Sequence, residues 1–302
     1  MHARFTETQR PMRTLAKLLL GALVLVGPAT ASAREQSILW AVQGRSNTVY
    51  LLGSIHALKP DDTRLPAAAE RAFDDSERLV MEIDMDDAAS DPLAMAGQMQ
   101  QAALLPQGQT LRSVLGTDYS SINERTRKVG LDLALLDGFA PWFVAISLMD
   151  LQLAQHGLSS DYGVEQTLAA RAVESHKPIE GFETAAQQFG MLAAMPLPMQ
   201  KRFLQMTLED SANFDHEVDD LVRAWKTGDT TALARMLADE SREFPDLYRR
   251  LTVDRNRAWA LRIEDLLDDH DDYLVVVGAM HLVGPDSVVD LLRKRGHLIT
   301  QQ

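Results

Sequence analysis

The sequence predicts an α/β fold in which one central sheet is built from N- and C-terminal segments, with a large helical insertion between them. Three observations lead to this prediction. Short apolar, strand-like runs occur near both ends, apolar residues three and four apart dominate the middle of the chain, and no repeat of about 20–50 residues is present. We therefore expect a single domain over residues 34–302, with the helical insertion at about 91–269.

The elements near the amino end alternate between strands and a helix. Residues 38–42 and 48–53 flank the polar turn 44–47 and predict a hairpin. Residues 65–75 predict a helix, because a proline suits its first turn and apolar residues follow at helical spacing. The apolar run within residues 78–84 predicts a buried strand.

The rest of the sheet is predicted from the middle and the carboxyl end. Residues 177–182, around a Pro-Ile pair, predict a short strand, which is the one interruption expected among the central helices. Residues 273–277 form an apolar run typical of a buried strand. Residues 285–295 then predict a helix, and residues 297–300 predict a last strand.

The composition excludes several classes of protein. The chain has 302 residues, of which 46% are hydrophobic and 24% are charged, which is typical of a folded globular protein. Cysteine is absent, so disulfides, thiolate metal sites and a cysteine nucleophile are excluded. The formal charge of −13 argues against a general nucleic-acid binder, which needs a basic face.

Residues 1–33 predict a secretory signal peptide of the Sec type. Basic residues precede the apolar run 18–26, Pro28 ends this run, and residues 31–33 (Ala-Ser-Ala) are small enough for signal peptidase. A membrane anchor is the alternative, but the run is shorter than the ~20 apolar residues of a spanning helix. We expect cleavage after Ala33 and a soluble periplasmic or secreted protein that has no membrane span.

Two similar motifs, each a strand followed by a glycine and then a histidine three residues later, lie near the two ends. Gly53-Ser54-Ile55-His56 follows one apolar strand, and Gly278-Ala279-Met280-His281 follows another. The carboxyl ends of strands are the usual location of sites in open α/β sheets. A single such histidine is more often structural, but two that converge predict a metal or catalytic site, because imidazole is the commonest metal ligand.

Glu82 is a carboxylate within an otherwise apolar strand. A buried carboxylate without a partner costs free energy, so Glu82 predicts a nearby cation, metal or strong hydrogen-bond donor. The alternative is a glutamate on the exposed face of an edge strand. Asp84 and Asp86, which follow it, are expected to be exposed at the end of the strand.

Several familiar catalytic motifs are absent from the sequence. It contains no Gly-x-Ser-x-Gly elbow, no His-Glu-x-x-His helix and no phosphate-binding glycine loop. The methionines between Met191 and Met206 are expected to fill the core, with an adaptable peptide groove as the alternative.

The ordered set of motifs resembles the TraB/GumN (TIKI/TraB/PrgY) family. The two glycine–histidine motifs carry this resemblance, and three segments agree with it in order: residues 162–165 (Tyr-Gly-Val-Glu), 177–184 (Lys-Pro-Ile-Glu-Gly-Phe-Glu-Thr) and 254–260 (Asp-Arg-Asn-Arg-Ala-Trp-Ala). The resemblance implies a fold related to erythromycin esterase-like and ChaN-like proteins. Animal members of the family are described as metal-dependent proteases that act on secreted signalling proteins.

The resemblance also implies roles for residues that match the family's motifs. His56, His281 and Glu82 are the expected ligands of a divalent metal ion (zinc, manganese or cobalt), and with Arg255 they form the expected catalytic set. The expected supporting residues are Gly53, Gly278, Asn256 and Glu183. Glu165 departs from the aspartate expected in the family, and its longer side chain would need an adjustment if it touches the site.

These residues are consistent with a metal-dependent hydrolase that cleaves a peptide or protein. In this hypothesis the ion activates water and polarises a carbonyl, Glu82 or Glu183 accepts the proton of the water, and Arg255 stabilises the oxyanion. The structural alternatives are a surface salt bridge for Arg255 and a helix-dipole contact for Glu183.

Two other functions stay open at this point. One is a metal-free, esterase-like hydrolase in which His56 is the general base and Glu82 orients it. The other is a non-catalytic periplasmic protein that binds or sequesters a peptide or signal. No residue supports sugar chemistry.

Overall fold

A mixed sheet of six strands forms the centre of the part of the chain that the structure, a computed structural model, describes: residues 36–83, 92–209 and 214–302. The predicted signal peptide, Asp84 and Asp86 lie outside the described residues. The strands are β1 (Leu39–Gln43), β2 (Thr48–Ser54), β3 (Arg78–Ile83), β4 (Ile179–Glu183), β5 (Tyr273–Gly278) and β6 (Ile299–Gln301).

Helices make up most of the remaining described chain. They are α1 (Ala67–Asp75), α2 (Pro92–Ala103), α3 (Leu111–Leu115), α4 (Tyr119–Lys128), α5 (Pro141–Gln155), α6 (Val164–Glu174), α7 (Ala185–Ala193), α8 (Leu197–Glu209), α9 (Phe214–Lys226), α10 (Thr230–Glu243), α11 (Pro245–Tyr248), α12 (Asp254–Leu267) and α13 (Val288–Lys294). Within the described residues, none of them combines the length and hydropathy needed to cross a bilayer.

The strand order is β4-β3-β5-β2-β1-β6, and it brings the ends of the chain together. Strands β4, β3, β5 and β2 run parallel, whereas β1 is antiparallel to both of its neighbours, β2 and β6. Because β2 and β5 are adjacent and parallel, Ser54 pairs with Gly278 in the register. The two glycine–histidine motifs therefore leave the sheet side by side.

The helical region is divided between two apolar cores. Helices α6, α9, α10 and α12 pack against the sheet, and β4 joins the sheet as an edge strand. Helices α2–α5, α7, α8 and α11 supply a second, helical core, in which Met195 and Met206 are buried. The predicted insertion at 91–269 is therefore partly built into the sheet layer, because the sheet needs apolar helix faces to cover it.

The local signals located most elements, but they placed two helix starts a few residues too early. Helix α1 begins at Ala67 rather than at residue 65, with Pro66 at its N-cap. The predicted hairpin is present, with Gln43 paired to Thr48 across a turn closed by a 2.9 Å hydrogen bond from the Gly44 amide to the Asn47 carbonyl. Helix α13 begins at Val288 rather than at residue 285, because Ser287 caps it and accepts a hydrogen bond from the Asp290 amide.

Gly53 is required by close packing, and we predict that Gly53→Ala destabilises the fold. A Cβ at this position would stand 2.3 Å from Cγ2 of Ile38 and 2.9 Å from Cα of Ala279. Overpacking of this kind is expected to lower the free energy of unfolding by about 1–3 kcal/mol in urea denaturation. Gly97→Ala is the control, because its Cβ would meet nothing within 4 Å, and it is expected to keep or raise stability. Equal stability of the two variants would contradict this account.

Candidate active site

The carboxyl ends of four neighbouring parallel strands converge on one group of polar side chains. Glu82 lies near the end of β3, Glu183 ends β4, and His56 follows β2 by two residues. His281 lies in a short 3₁₀ turn, Ala279–His281, directly after β5. A cavity of about 390 Å³ opens beside this group and is lined by His56, Met81, Glu82, Ile83, Ser160, Asp161, Glu165, Gln166 and Gln188.

Glu82 is buried on a central strand and fully partnered. Its Oε1 accepts a 2.8 Å hydrogen bond from the Gly278 amide, and its Oε2 accepts one of 2.6 Å from Nη2 of Arg255. The alternative of an exposed edge position is wrong, since β3 lies between β4 and β5 and the residue is 8% exposed. Burial alone would raise the pKa of Glu82, but the neighbouring His281, Arg255 and His56 and the hydrogen bond from the Gly278 amide together lower it below its ordinary value.

Arg255 bridges two carboxylates inside the protein. Besides Glu82, it binds Glu183 through Nε at 2.9 Å and through Nη2 at 3.0 Å. Its guanidinium lies over the Trp259 ring at 4.4 Å, and the Trp259 indole N–H donates to Glu183 at 3.1 Å. The Arg255 side chain is 10% exposed, so the alternative of a surface salt bridge does not apply.

A π-helical turn, Arg249–Val253, runs directly into α12. Turns of this kind are frequent at functional sites. Arg255 and Trp259 are one turn apart on the same face of α12, and Asn256 lies next to them. Asn256 is fully buried, and its amide group donates a 2.9 Å hydrogen bond to the Asp286 carbonyl.

His281 presents an unprotonated nitrogen to the site. Its Nδ1 lies 2.6 Å from Oδ1 of Asn256, an acceptor, because the NH₂ group of Asn256 is used by Asp286. This hydrogen-bond pattern assigns the proton to Nδ1 and leaves the lone pair on Nε2. Burial lowers the pKa of His281 to about 4, so the ring is neutral at pH 7. Nε2 lies 3.9 Å from Oε1 of Glu82 and 3.5 Å from Nη1 of Arg255.

The environment of His56 favours its protonated form, in contrast to that of His281. Its Nδ1 lies 2.6 Å from Oε1 of Glu165, and its side chain is 67% exposed, whereas that of Glu165 is 12% exposed. The Glu165 charge raises the pKa of His56 above its ordinary value, and this effect outweighs desolvation. The metal-free hypothesis expected Glu82 to orient His56, but the partner of His56 Nδ1 in the structure is Glu165.

Gly278 leaves open space between the three expected ligands. A Cβ at this position would stand 3.2 Å from Nε2 of His56, 3.4 Å from Oε1 of Glu82 and 3.6 Å from Cδ2 of His281. Two imidazole nitrogens and one carboxylate oxygen are the donor set of many catalytic zinc sites, so the chemistry of these donors suits a divalent ion. As the side chains are placed, no group of three His, Asp or Glu among the described residues is close enough to hold one.

The structure brings together seven of the eight residues predicted from the sequence, and Gly53 lies behind them. Gly53 packs on Ile38, and its carbonyl accepts a 2.7 Å hydrogen bond from the Trp225 indole N–H. Two contributors were missed as site residues, Glu165 and Trp259. The acidic residue in the first turn of α6 and the tryptophan one turn after Arg255 were the available signals.

The model of the TraB/PrgY/gumN family matches residues 38–301, which include every strand of the sheet. The chain belongs to this family. No solved structure matches it. An uncharacterized protein of Treponema pallidum (strain Nichols) is 25% identical, over 89% of this chain and 83% of that protein.

Two further relatives indicate the breadth of the family. The uncharacterized protein YbaP of Escherichia coli (strain K12) is 24% identical, over 81% of this chain and 87% of that protein. The protein named metalloprotease TIKI homolog of Nematostella vectensis is also 24% identical, over 94% of this chain and 71% of that protein. Relatives that carry a protease name and relatives without an assigned activity therefore match nearly the whole chain.

Proposed function

We propose that this protein is an exported, metal-dependent hydrolase that cleaves a peptide or protein, and that its fold is related to the erythromycin esterase-like and ChaN-like proteins. One observation carries the proposal: the three expected ligands surround a single point beside Gly278, the position that a Cβ would occupy. Nε2 of His56 and Oε1 of Glu82 lie within 3.4 Å of this point, and the His281 ring lies 3.6 Å from it. The relatives named as metalloproteases support the class of reaction.

The residues that would hold the ion are His56, His281 and Glu82. When bound, a divalent ion supplies a nucleophilic water at neutral pH and polarises the carbonyl of the substrate. His281 is neutral, and its unprotonated Nε2 faces Nη1 of Arg255 only at 3.5 Å among the described residues, so it can bind a cation or accept a proton without first losing one of its own. Asn256 holds the ring in that tautomer.

Arg255 and Glu183 act as a unit beside these residues. Among the described residues, Nη1 of Arg255 makes only long contacts, 3.4 Å to the Leu251 carbonyl and 3.5 Å to His281, so it keeps donor capacity for an oxyanion. Both oxygens of Glu183 bind Arg255, and one also binds Trp259. We therefore assign Glu183 to holding Arg255 in place, and Glu82 remains the carboxylate beside His281, with its Oε1 3.9 Å from Nε2.

The test is metal content and hydrolysis in the purified full chain, prepared without chelators. We expect near-stoichiometric zinc, manganese or cobalt in the wild type, and loss of both metal and peptide hydrolysis in His56→Ala and His281→Ala. His216→Ala is the matched control, because His216 is exposed on α9, away from the cavity lining. Metal and hydrolysis that persist in both site variants would refute the proposal.

A second candidate is a metal-free hydrolase, and the position of Arg255 favours it. The guanidinium already supplies a positive charge between Glu82 and Glu183. In that case the neutral His281 is the better general base, and His56 is the better proton donor. Hydrolysis by a wild type that contains no metal after zinc, manganese and cobalt have been added would select this candidate. If the wild type shows neither bound metal nor hydrolysis, a non-catalytic role in peptide binding is the function that remains.

A further inference from the structure

We infer that Glu165, held by Ser54, is the residue that positions His56 in the active site. This inference rests on the proposed function. Oε1 of Glu165 accepts a hydrogen bond from the Ser54 hydroxyl and lies 2.6 Å from Nδ1 of His56. The three side chains therefore form a chain of contacts that ends at the imidazole.

His56 needs such a partner because most of its side chain faces solvent. An imidazole that is 67% exposed has little packing to fix its ring. A carboxylate at Nδ1 holds the ring so that the other nitrogen, Nε2, faces Glu82 and the open space at Gly278. Acceptors at the remote nitrogen orient histidine ligands in this way in many metal sites.

The sequence around Glu165 brings α6 unusually close to the His56 backbone. A Cβ on Gly163 would stand 2.3 Å from the His56 carbonyl oxygen, so only glycine allows this approach. The Val164 amide donates a 3.1 Å hydrogen bond to the Ile55 carbonyl. Glu165 then falls in the first turn of α6, where the helix dipole stabilises a carboxylate.

Glu165 carries a free-energy cost that a purely structural residue would avoid. The second oxygen, Oε2, is buried and has no hydrogen-bond partner among the described residues. A buried acceptor without a partner costs free energy, and an apolar residue of similar size would avoid that cost. Costs of this kind are typical of functional sites.

The experiment compares Glu165→Ala, Glu165→Gln and Ser54→Ala with the wild-type full chain. Cobalt(II) titration is expected to show an affinity about ten- to a hundredfold weaker in Glu165→Ala, and kcat is expected to fall by a similar factor while KM changes little. Glu165→Gln is expected to retain more of both, because its amide oxygen can accept the same N–H. Glu174→Gln, at the exposed far end of α6, is the control.

A measurement on the ring itself separates this inference from the proposed function. The proton between His56 and Glu165 is expected to give a strongly downfield NMR signal that disappears in Glu165→Ala and in His56→Gln. A folded Glu165→Ala with wild-type cobalt affinity, kcat and ring signal would overturn the inference. If the wild type neither binds cobalt nor hydrolyses peptides, the proposed function fails. The downfield NMR signal of His56 then tests the positioning role by itself: its presence in the wild type supports the role, and its absence contradicts it.

Discussion

Arg255→Met is expected to lower the free energy of unfolding by about 3–5 kcal/mol at pH 7, because it leaves two enclosed carboxylates without their cation. The side chains of Glu82 and Glu183 are 10% and 19% exposed, and Arg255 binds both. The measurement is urea denaturation of the wild type and the variant. Arg257→Met is the matched control, because Arg257 lies on the same helix but is 59% exposed and pairs loosely with Asp254 at 3.8 Å. A loss no larger than that of the control would contradict the account.

The effect of Arg255→Met is also expected to shrink as the pH falls. In the wild type the pKa of Glu82 is lowered, so its contribution to stability is present above the pKa of an unfolded glutamate and is lost in acid. Without the guanidinium, burial raises that pKa, and protonation of the folded state then stabilises the variant. Urea denaturation at pH 7 and at about pH 4 checks this expectation. The difference in free energy of unfolding between the wild type and Arg255→Met must be smaller at the lower pH.

Gly278→Ala is expected to abolish most of the activity while leaving the fold nearly as stable. The backbone of Gly278 has φ −49°, which alanine adopts without strain. The new methyl group would stand 3.2 Å from His56 Nε2 and 3.4 Å from Glu82 Oε1, in the space between the reacting groups. We expect hydrolysis and metal affinity to fall by roughly 100-fold, the scale of a misplacement of about 1 Å, and the free energy of unfolding to change by less than about 1 kcal/mol.

Gly190→Ala provides the control for Gly278→Ala, because a Cβ on this helical glycine would meet nothing within 4 Å. Comparison with Gly53→Ala is equally informative. The two glycines occupy the same place in similar motifs, but a Cβ on Gly53 meets Ile38 and Ala279, whereas one on Gly278 meets the site. Full activity in Gly278→Ala would show that this space is not where the reaction takes place.

The sequence was sufficient to predict the sheet and most of the site, because both depend on local patterns. Apolar runs followed by glycine and histidine identified β2 and β5, and the carboxyl ends of parallel strands meet at one edge whatever their distance in sequence. A carboxylate in an apolar strand indicated that Glu82 has a partner. The order of the motifs was enough to indicate the family.

The tertiary structure alone decided which groups are partners. Glu82 was expected to orient His56, but Nδ1 of His56 contacts Glu165 instead. Gly163 lets α6 approach the His56 backbone, and no local pattern encodes that approach. The sequence offered Arg255 many carboxylates, and the fold pairs it with Glu82 and Glu183, which lie on β3 and β4 far from it in sequence. The pKa values of the two histidines also shift in opposite directions, although both follow the same motif. Burial beside Asn256 favours the neutral form of His281, whereas the Glu165 carboxylate favours the protonated form of His56. Sequence motifs determine which residues reach the edge of the sheet, whereas long-range packing determines the charge around each of them.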